Sequence, residues 1–147
     1  MNPITCPKCR GPLKSVAYRD VEVNRCLRCS GLWFDSLEIE QLKTIHGSES
    51  LDVGNPLIGR QLNRIEQEIS CPKCGTIMMR MLDIDRYSIW YEKCPHCQGV
   101  WLDAGEFKKF KQNFKLRRRL SHLIASPLKK TWSKLLRKIP SKSINRS

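Results

Sequence analysis

The sequence predicts a small metal-stabilised α+β fold: two tandem units, each of short β-hairpins plus a capped helix, followed by a helical basic C-terminal tail. Three observations lead there. Eight cysteines fall into four CxxC pairs. The phrase CxGxWxDxxE occurs twice, as "CSGLWFDSLE" at 29–38 and "CQGVWLDAGE" at 97–106. The net charge of +13 is unevenly placed: all 14 acidic residues lie within 1–107, whereas the 14 basic residues from Lys108 to Arg146 meet no acid.

The intervals group the cysteines. Sixteen residues separate Cys9 from Cys26 and nineteen separate Cys74 from Cys94, but 41 lie between Cys29 and Cys71. Cys6, Cys9, Cys26 and Cys29 therefore form one set and Cys71, Cys74, Cys94 and Cys97 the other, each with the spacing of a four-cysteine zinc site. A tetrahedral Zn²⁺ needs thiolates from directions that no single turn supplies, and two facing knuckles provide them. Four thiolates leave no open coordination position, so two structural Zn²⁺ ions are expected, with iron or another thiophilic ion as alternatives. A thioredoxin-like redox pair would need a βαβ setting, and none is visible. Gly31 and Gly99, which follow the second knuckles, suit a left-handed backbone close to sulfur. His96 sits inside a knuckle whose tetrahedron is already complete, and His46 and His122 lack companions at ligand spacing.

Between the knuckles, Val16, Tyr18, Val21 and Val23 alternate around Arg19 and Asp20 as in a β-hairpin. In the second unit Ile89, Tyr91 and Lys93 align with Val21, Val23 and Arg25, and Met78, Met79 and Met81 are read as hairpin packing. Units of this size rarely fold by burial alone, so metal supplies folding energy. Asp35 and Asp103 read as N-caps, with Glu38 and Glu106 completing a capping box. Trp33 and Trp101 are expected to cover the metal sites and lean on Leu42 and Phe110; the alternative is exposed indoles that stack on a nucleobase or partner.

CPxC, a hairpin and CxxCxGxWxDxxE together resemble the bacterial zinc-ribbon family named after the ribbon of transcription factor IIB, present here twice, over about residues 4–42 and 69–110. The resemblance implies two four-cysteine zinc ribbons and suggests nucleic-acid or regulatory roles. Nothing after the ribbons resembles the helical core domains of that factor.

The organisation expected is ribbon 1 at 1–45, a linker with a short helix at 46–68, ribbon 2 at 69–112 and a basic amphipathic tail at 113–147. Asn55-Pro56 reads as an N-cap with Pro at N1, followed by Leu57, Ile58, Leu62, Ile65 and Ile69 at helical spacing. Phe107, Phe110 and Phe114 are expected to pack back on ribbon 2. In the tail Leu128, Trp132, Leu135, Leu136 and Ile139 occupy one face, flanked by Lys129, Lys130, Lys134, Arg137 and Lys138. With Arg117, Arg118 and Arg119 these cations suit nucleic-acid phosphates. The alternative is an adaptor whose ribbons hold a protein while the tail helix docks on an anionic membrane or partner groove.

No paired acid and base or nucleophile constellation is present, so a non-enzymatic protein is expected. The cysteine usage and the lack of a leader sequence suggest a reducing, cytoplasmic setting. No apolar run approaches the length needed to cross a bilayer.

Overall fold

The computed structural model describes residues 4–124. Residues up to Phe114 form one compact body, which contains both repeated units, and the described residues from Lys115 onward belong to a separate body. The first hairpin comprises β1 (Leu13–Tyr18) and β2 (Val21–Cys26), in register from Leu13 opposite Cys26 to Tyr18 opposite Val21. Its turn is Arg19-Asp20, with Arg19 left-handed at φ 53°. After the second knuckle come the short strand β3 (Leu32–Phe34) and helix α1 (Glu38–Leu42). The second unit repeats this order with β4 (Met79–Ile84), β5 (Ser88–Lys93), β6 (Val100–Leu102) and α3 (Glu106–Ile124).

The two units share one sheet, in the order β1-β2-β3-β6-β5-β4. At its centre β3 and β6 run antiparallel, with Leu32 opposite Leu102, Trp33 opposite Trp101 and Phe34 opposite Val100. All six residues are buried. Because side chains alternate across a strand, one face carries Leu32, Phe34, Val100 and Leu102 into a cluster with Ile39, Leu42, Leu51 and Phe107. The other carries Trp33 and Trp101 into a cluster with the cysteines, Ile69 and Met78. The indoles therefore do not lean on Leu42 or Phe110, which lie with the opposite cluster. Each is fully buried, which removes the stacking alternative.

Residues 46–56 are anchored at Ser48, Leu51 and Asp52 despite their Gly, Ser and Pro content. A 3-10 turn over Ser48–Leu51 buries Ser48 and Leu51, and Arg25 donates to the Leu51 carbonyl at 2.6 Å. Asp52 is buried and accepts from the amides of Gly105 (2.9 Å) and Lys108 (3.1 Å), so a residue from the connector caps α3. Burial pushes the Asp52 pKa up, against the pull of those amides. Helix α2 (Pro56–Asn63) begins as its sequence suggests, Asn55 accepting from the Leu57 amide at 2.9 Å. It ends before Ile65, so Ile65 and Ile69 are not on its face; Leu57 and Ile58 are exposed. Gly59 meets the Ala104 backbone, where a Cβ would come within 2.0 Å of the carbonyl oxygen.

The phenylalanines of α3 pack on both units. Phe107 lies 5.1 Å, centroid to centroid, from Phe34 in β3, while Phe110 meets Tyr91 edge-on in β5. The Lys43 ammonium lies 4.9 Å from the Phe114 ring. Buried Lys111 donates to the Ile45 carbonyl at 2.8 Å and pairs with Glu49, and Asn113 ties α3 to Tyr87 and Asp83. Of the methionines read as packing, Met78 is buried and Met79 is exposed.

Candidate metal centres and the contacts between the ribbons

All four knuckles repeat one backbone pattern. The amides of Arg10, Ser30, Gly75 and Gln98 bond back to the carbonyls of Cys6, Cys26, Cys71 and Cys94, and each of these four residues has positive φ. The left-handed position is thus Ser30 and Gln98, the residues before Gly31 and Gly99. Within the knuckles, amides point at the first sulfur: Lys8 and Cys9 at Cys6 (3.4 and 3.3 Å), Arg28 and Cys29 at Cys26 (3.3 and 3.4 Å), Lys73 and Cys74 at Cys71 (3.4 and 3.5 Å), and Cys97 at Cys94 (3.4 Å). Such donors favour thiolate.

The sulfurs of Cys6, Cys9, Cys26 and Cys29 lie within 4.8 Å of one another, as do those of Cys71, Cys74, Cys94 and Cys97. The closest pairs are Cys9–Cys26 and Cys74–Cys94 at 3.4 Å, Cys71–Cys97 at 3.6 Å and Cys6–Cys29 at 3.7 Å. A disulfide needs about 2.05 Å, whereas a tetrahedron with Zn–S of about 2.3 Å has edges of about 3.8 Å. Two zinc ions are therefore what these groups are positioned to hold, and no histidine joins either set among the described residues.

Within each set the thiols are shifted in opposite directions. A hydrogen bond from Cys29 lowers Cys6 to about 6, and one with the Thr76 hydroxyl lowers Cys74 to about 6. Cys29 is raised, first by that same bond with Cys6 and then by burial, and burial raises Cys71 to about 12 and also lifts Cys9 and Cys97. A dication at the centre is what stabilises four thiolates together.

The repeated phrase has a second task, which the sequence reading missed. Neither Asp35 nor Asp103 caps a helix. Each accepts from the indole two residues earlier, Trp33 at 3.1 Å and Trp101 at 3.0 Å. The other oxygen of each reaches the CPKC lysine of the opposite ribbon: Lys73 to Asp35 at 2.6 Å and Lys8 to Asp103 at 2.9 Å. Half of the expected box survives, because Glu38 accepts from the Asp35 amide at 2.7 Å. The residues before the helices, Leu37 and Gly105, are left-handed at φ 75° and 87°.

The glycines complete the exchange. A Cβ on Gly31 would lie 2.2 Å from the Trp101 ring, and one on Gly99 2.2 Å from the Trp33 ring. Glycine is required there to admit the other ribbon's indole. Its φ is not the reason.

Lys8 differs from its counterpart by a further partner, Glu92, at 2.7 Å. Arg80 reaches the same Glu92 oxygen at 3.4 Å, while Glu92 Oε2 has no hydrogen-bond partner among the described residues. Burial pushes the Glu92 pKa up, against the pull of Lys8.

Of the cations assigned to anionic partners, Arg117, Arg118 and Arg119 lie on α3 and are exposed. Lys129, Lys130, Lys134, Arg137 and Lys138 lie outside the described residues, as do Leu128, Trp132, Leu135, Leu136 and Ile139. Among the described residues no helix is long and apolar enough to cross a membrane.

Two four-cysteine centres, each between a hairpin and a short strand, define a tandem zinc-ribbon protein. Residues 5–45 and 70–113 match the family described as "Transcription factor zinc-finger", the zinc ribbon of the transcription factor IIB type, and the chain belongs to that family. No curated protein and no solved structure matches the chain significantly.

Proposed function

We propose that this chain is a non-enzymatic, nucleic-acid-associated regulator, in which the zinc ribbons form a rigid body and the basic segment contacts phosphates. The charge division carries the reading: 14 cations and no acid follow residue 107. The exposed run Arg117, Arg118 and Arg119 supports it. Cations along a helix neutralise phosphates and release counterions, so affinity falls as salt rises. The family's name agrees with a transcription-related role.

The adaptor reading draws on a different observation. Leu120 and Leu123 are exposed beside those arginines on α3, giving a mixed apolar and basic surface that also fits an anionic bilayer.

Anisotropy titrations of the full chain against duplex DNA, single-stranded DNA, RNA and anionic vesicles test both readings. Replacing Arg117, Arg118 and Arg119 with Ser should flatten the log K against log salt slope on duplex DNA by about 2 to 3 units, at roughly 0.9 per lost phosphate contact. Undetectable nucleic-acid binding at about 50 mM salt, or binding indifferent to salt, refutes the nucleic-acid reading. Vesicle binding alone selects the adaptor.

A further inference from the structure

The duplication supplies an internal control for what folding requires. On one face of the second hairpin the register aligns Arg80 with Glu92, Leu82 with Trp90, and Ile84 with Ser88. The corresponding pairs in the first hairpin are Ser15 with Asn24 and Ala17 with Glu22. Ribbon 1 thus builds its hairpin with a polar face and turns before the position of the Ile84–Ser88 pair. Ribbon 2 exposes Leu82, Ile84 and Trp90, the indole to 41%. Since the first copy has Ala17 and Glu22 in place of Leu82 and Trp90, those two apolar side chains are not what the hairpin needs in order to form.

This face adjoins a cleft of about 800 Å³ whose lining includes Asn63, Glu66, Glu68, Arg80, Trp90 and Glu92. Its far wall is the irregular stretch 65–69. Arg80 is already engaged: it donates to the Asn63 carbonyl at 2.7 Å, pairs with Glu92 and lies 5.1 Å from the Trp90 ring. Glu66 and Glu68 are exposed and make no hydrogen bond or ion pair among the described residues. Glu92 is buried, and one of its oxygens is unpartnered among the described residues. Arg64 adds one lining cation against these carboxylates. Free carboxylates beside an exposed indole and aliphatic side chains repel phosphate and attract cations carried on an apolar segment.

We propose that the outer face of the second hairpin, with the cleft beside it, docks a basic protein segment: Lys or Arg side chains opposite Glu66 and Glu68, and apolar side chains on Leu82, Ile84 and Trp90. The surface is distinct from the basic segment assigned to nucleic acid. It gives ribbon 2 a partner that ribbon 1 cannot hold.

The test is an NMR titration of the zinc-loaded full chain with three probes: a short synthetic peptide alternating Arg and Leu, its counterpart with Glu in place of Arg, and a single-stranded oligonucleotide. The Arg peptide should move the Trp90 indole resonance and the amides of Glu66, Glu68, Leu82 and Ile84. Trp90→Glu, which installs the residue ribbon 1 already carries, should weaken that binding at least about tenfold, as for an interface anchor. Leu82→Ala, another ribbon 1 residue, and the double change Glu66→Lys with Glu68→Lys should each weaken it while leaving two zinc ions bound per chain. The proposal is overturned if the Arg peptide leaves these resonances unmoved, if the Glu peptide or the oligonucleotide moves them as strongly, or if the variants bind unchanged.

Discussion

The two ribbons share their elements, knuckles and central phrase, yet the ion pairs that cross between them have different surroundings. Lys8 and Asp103 have side chains only 3% and 0% exposed, with Glu92 alongside, whereas Lys73 and Asp35 are 42% and 34% exposed. The metal sites differ in the same sense: Cys74 is exposed, and the first set has no exposed cysteine. Residues that repeat in both copies hold the fold together. Residues that differ set burial, and they mark where one copy has taken on something the other has not.

Loss of metal should have the largest effect, because structural zinc contributes on the order of 10–16 kcal/mol per site in small zinc-dependent units. Cys26→Ser and Cys94→Ser should each collapse the whole body, since β3 and β6 pair with each other. Far-UV circular dichroism together with zinc stoichiometry checks this. If one ribbon stays folded after the other is lost, the common sheet is not the cooperative unit.

Lys8→Met comes next, at about 3–5 kcal/mol, because it strands buried Asp103 and Glu92. Lys73→Met should cost less than about 1 kcal/mol, as for an exposed pair. Equal losses in urea denaturation would erase the asymmetry. The Lys8→Met deficit should also depend on pH. Burial raises the folded-state pKa of Glu92 above its ordinary 4.5, so its ionisation opposes folding above that raised value and the opposition fades as pH falls towards 4.5. The deficit should therefore be greatest at neutral pH and shrink on acidification, over the range in which zinc stays bound.

Gly31→Ala and Gly99→Ala should destabilise by similar amounts, about 1–3 kcal/mol or more, since both force a methyl into a buried indole. Thermal denaturation of the two variants tests that equality. The smallest effect should be a gain: Leu37 is left-handed where the other copy has Gly105, so Leu37→Gly should stabilise by about 1 kcal/mol.

Much of this was legible in the sequence. CxxC spacing reports a local requirement of metal geometry, and alternation around Arg19-Asp20 fixes a hairpin. Contacts between the units were hidden, because an acid before a helical run looks like a cap whatever its carboxylate meets. One signal pointed elsewhere: Lys8 and Lys73 repeat as strictly as Asp35 and Asp103 do, and a lysine kept at one knuckle position needs an acceptor. Asp52 was hidden by its setting. A Gly-, Ser- and Pro-containing stretch reads as a spacer, yet its acid caps a helix 53 residues further on.

The antiparallel pairing of β3 with β6 places Trp33 opposite Trp101 and makes each contact reciprocal: glycine to indole, lysine to aspartate, in both directions. Such self-complementarity is the property of an isologous dimer interface, in which each surface recognises its own kind. The chain carries a homodimer's geometry within one polypeptide. A half-molecule would present an unpaired strand edge and an uncovered indole, so the repeat is most readily understood as a pair fused in one chain, free to let its halves diverge because neither can leave.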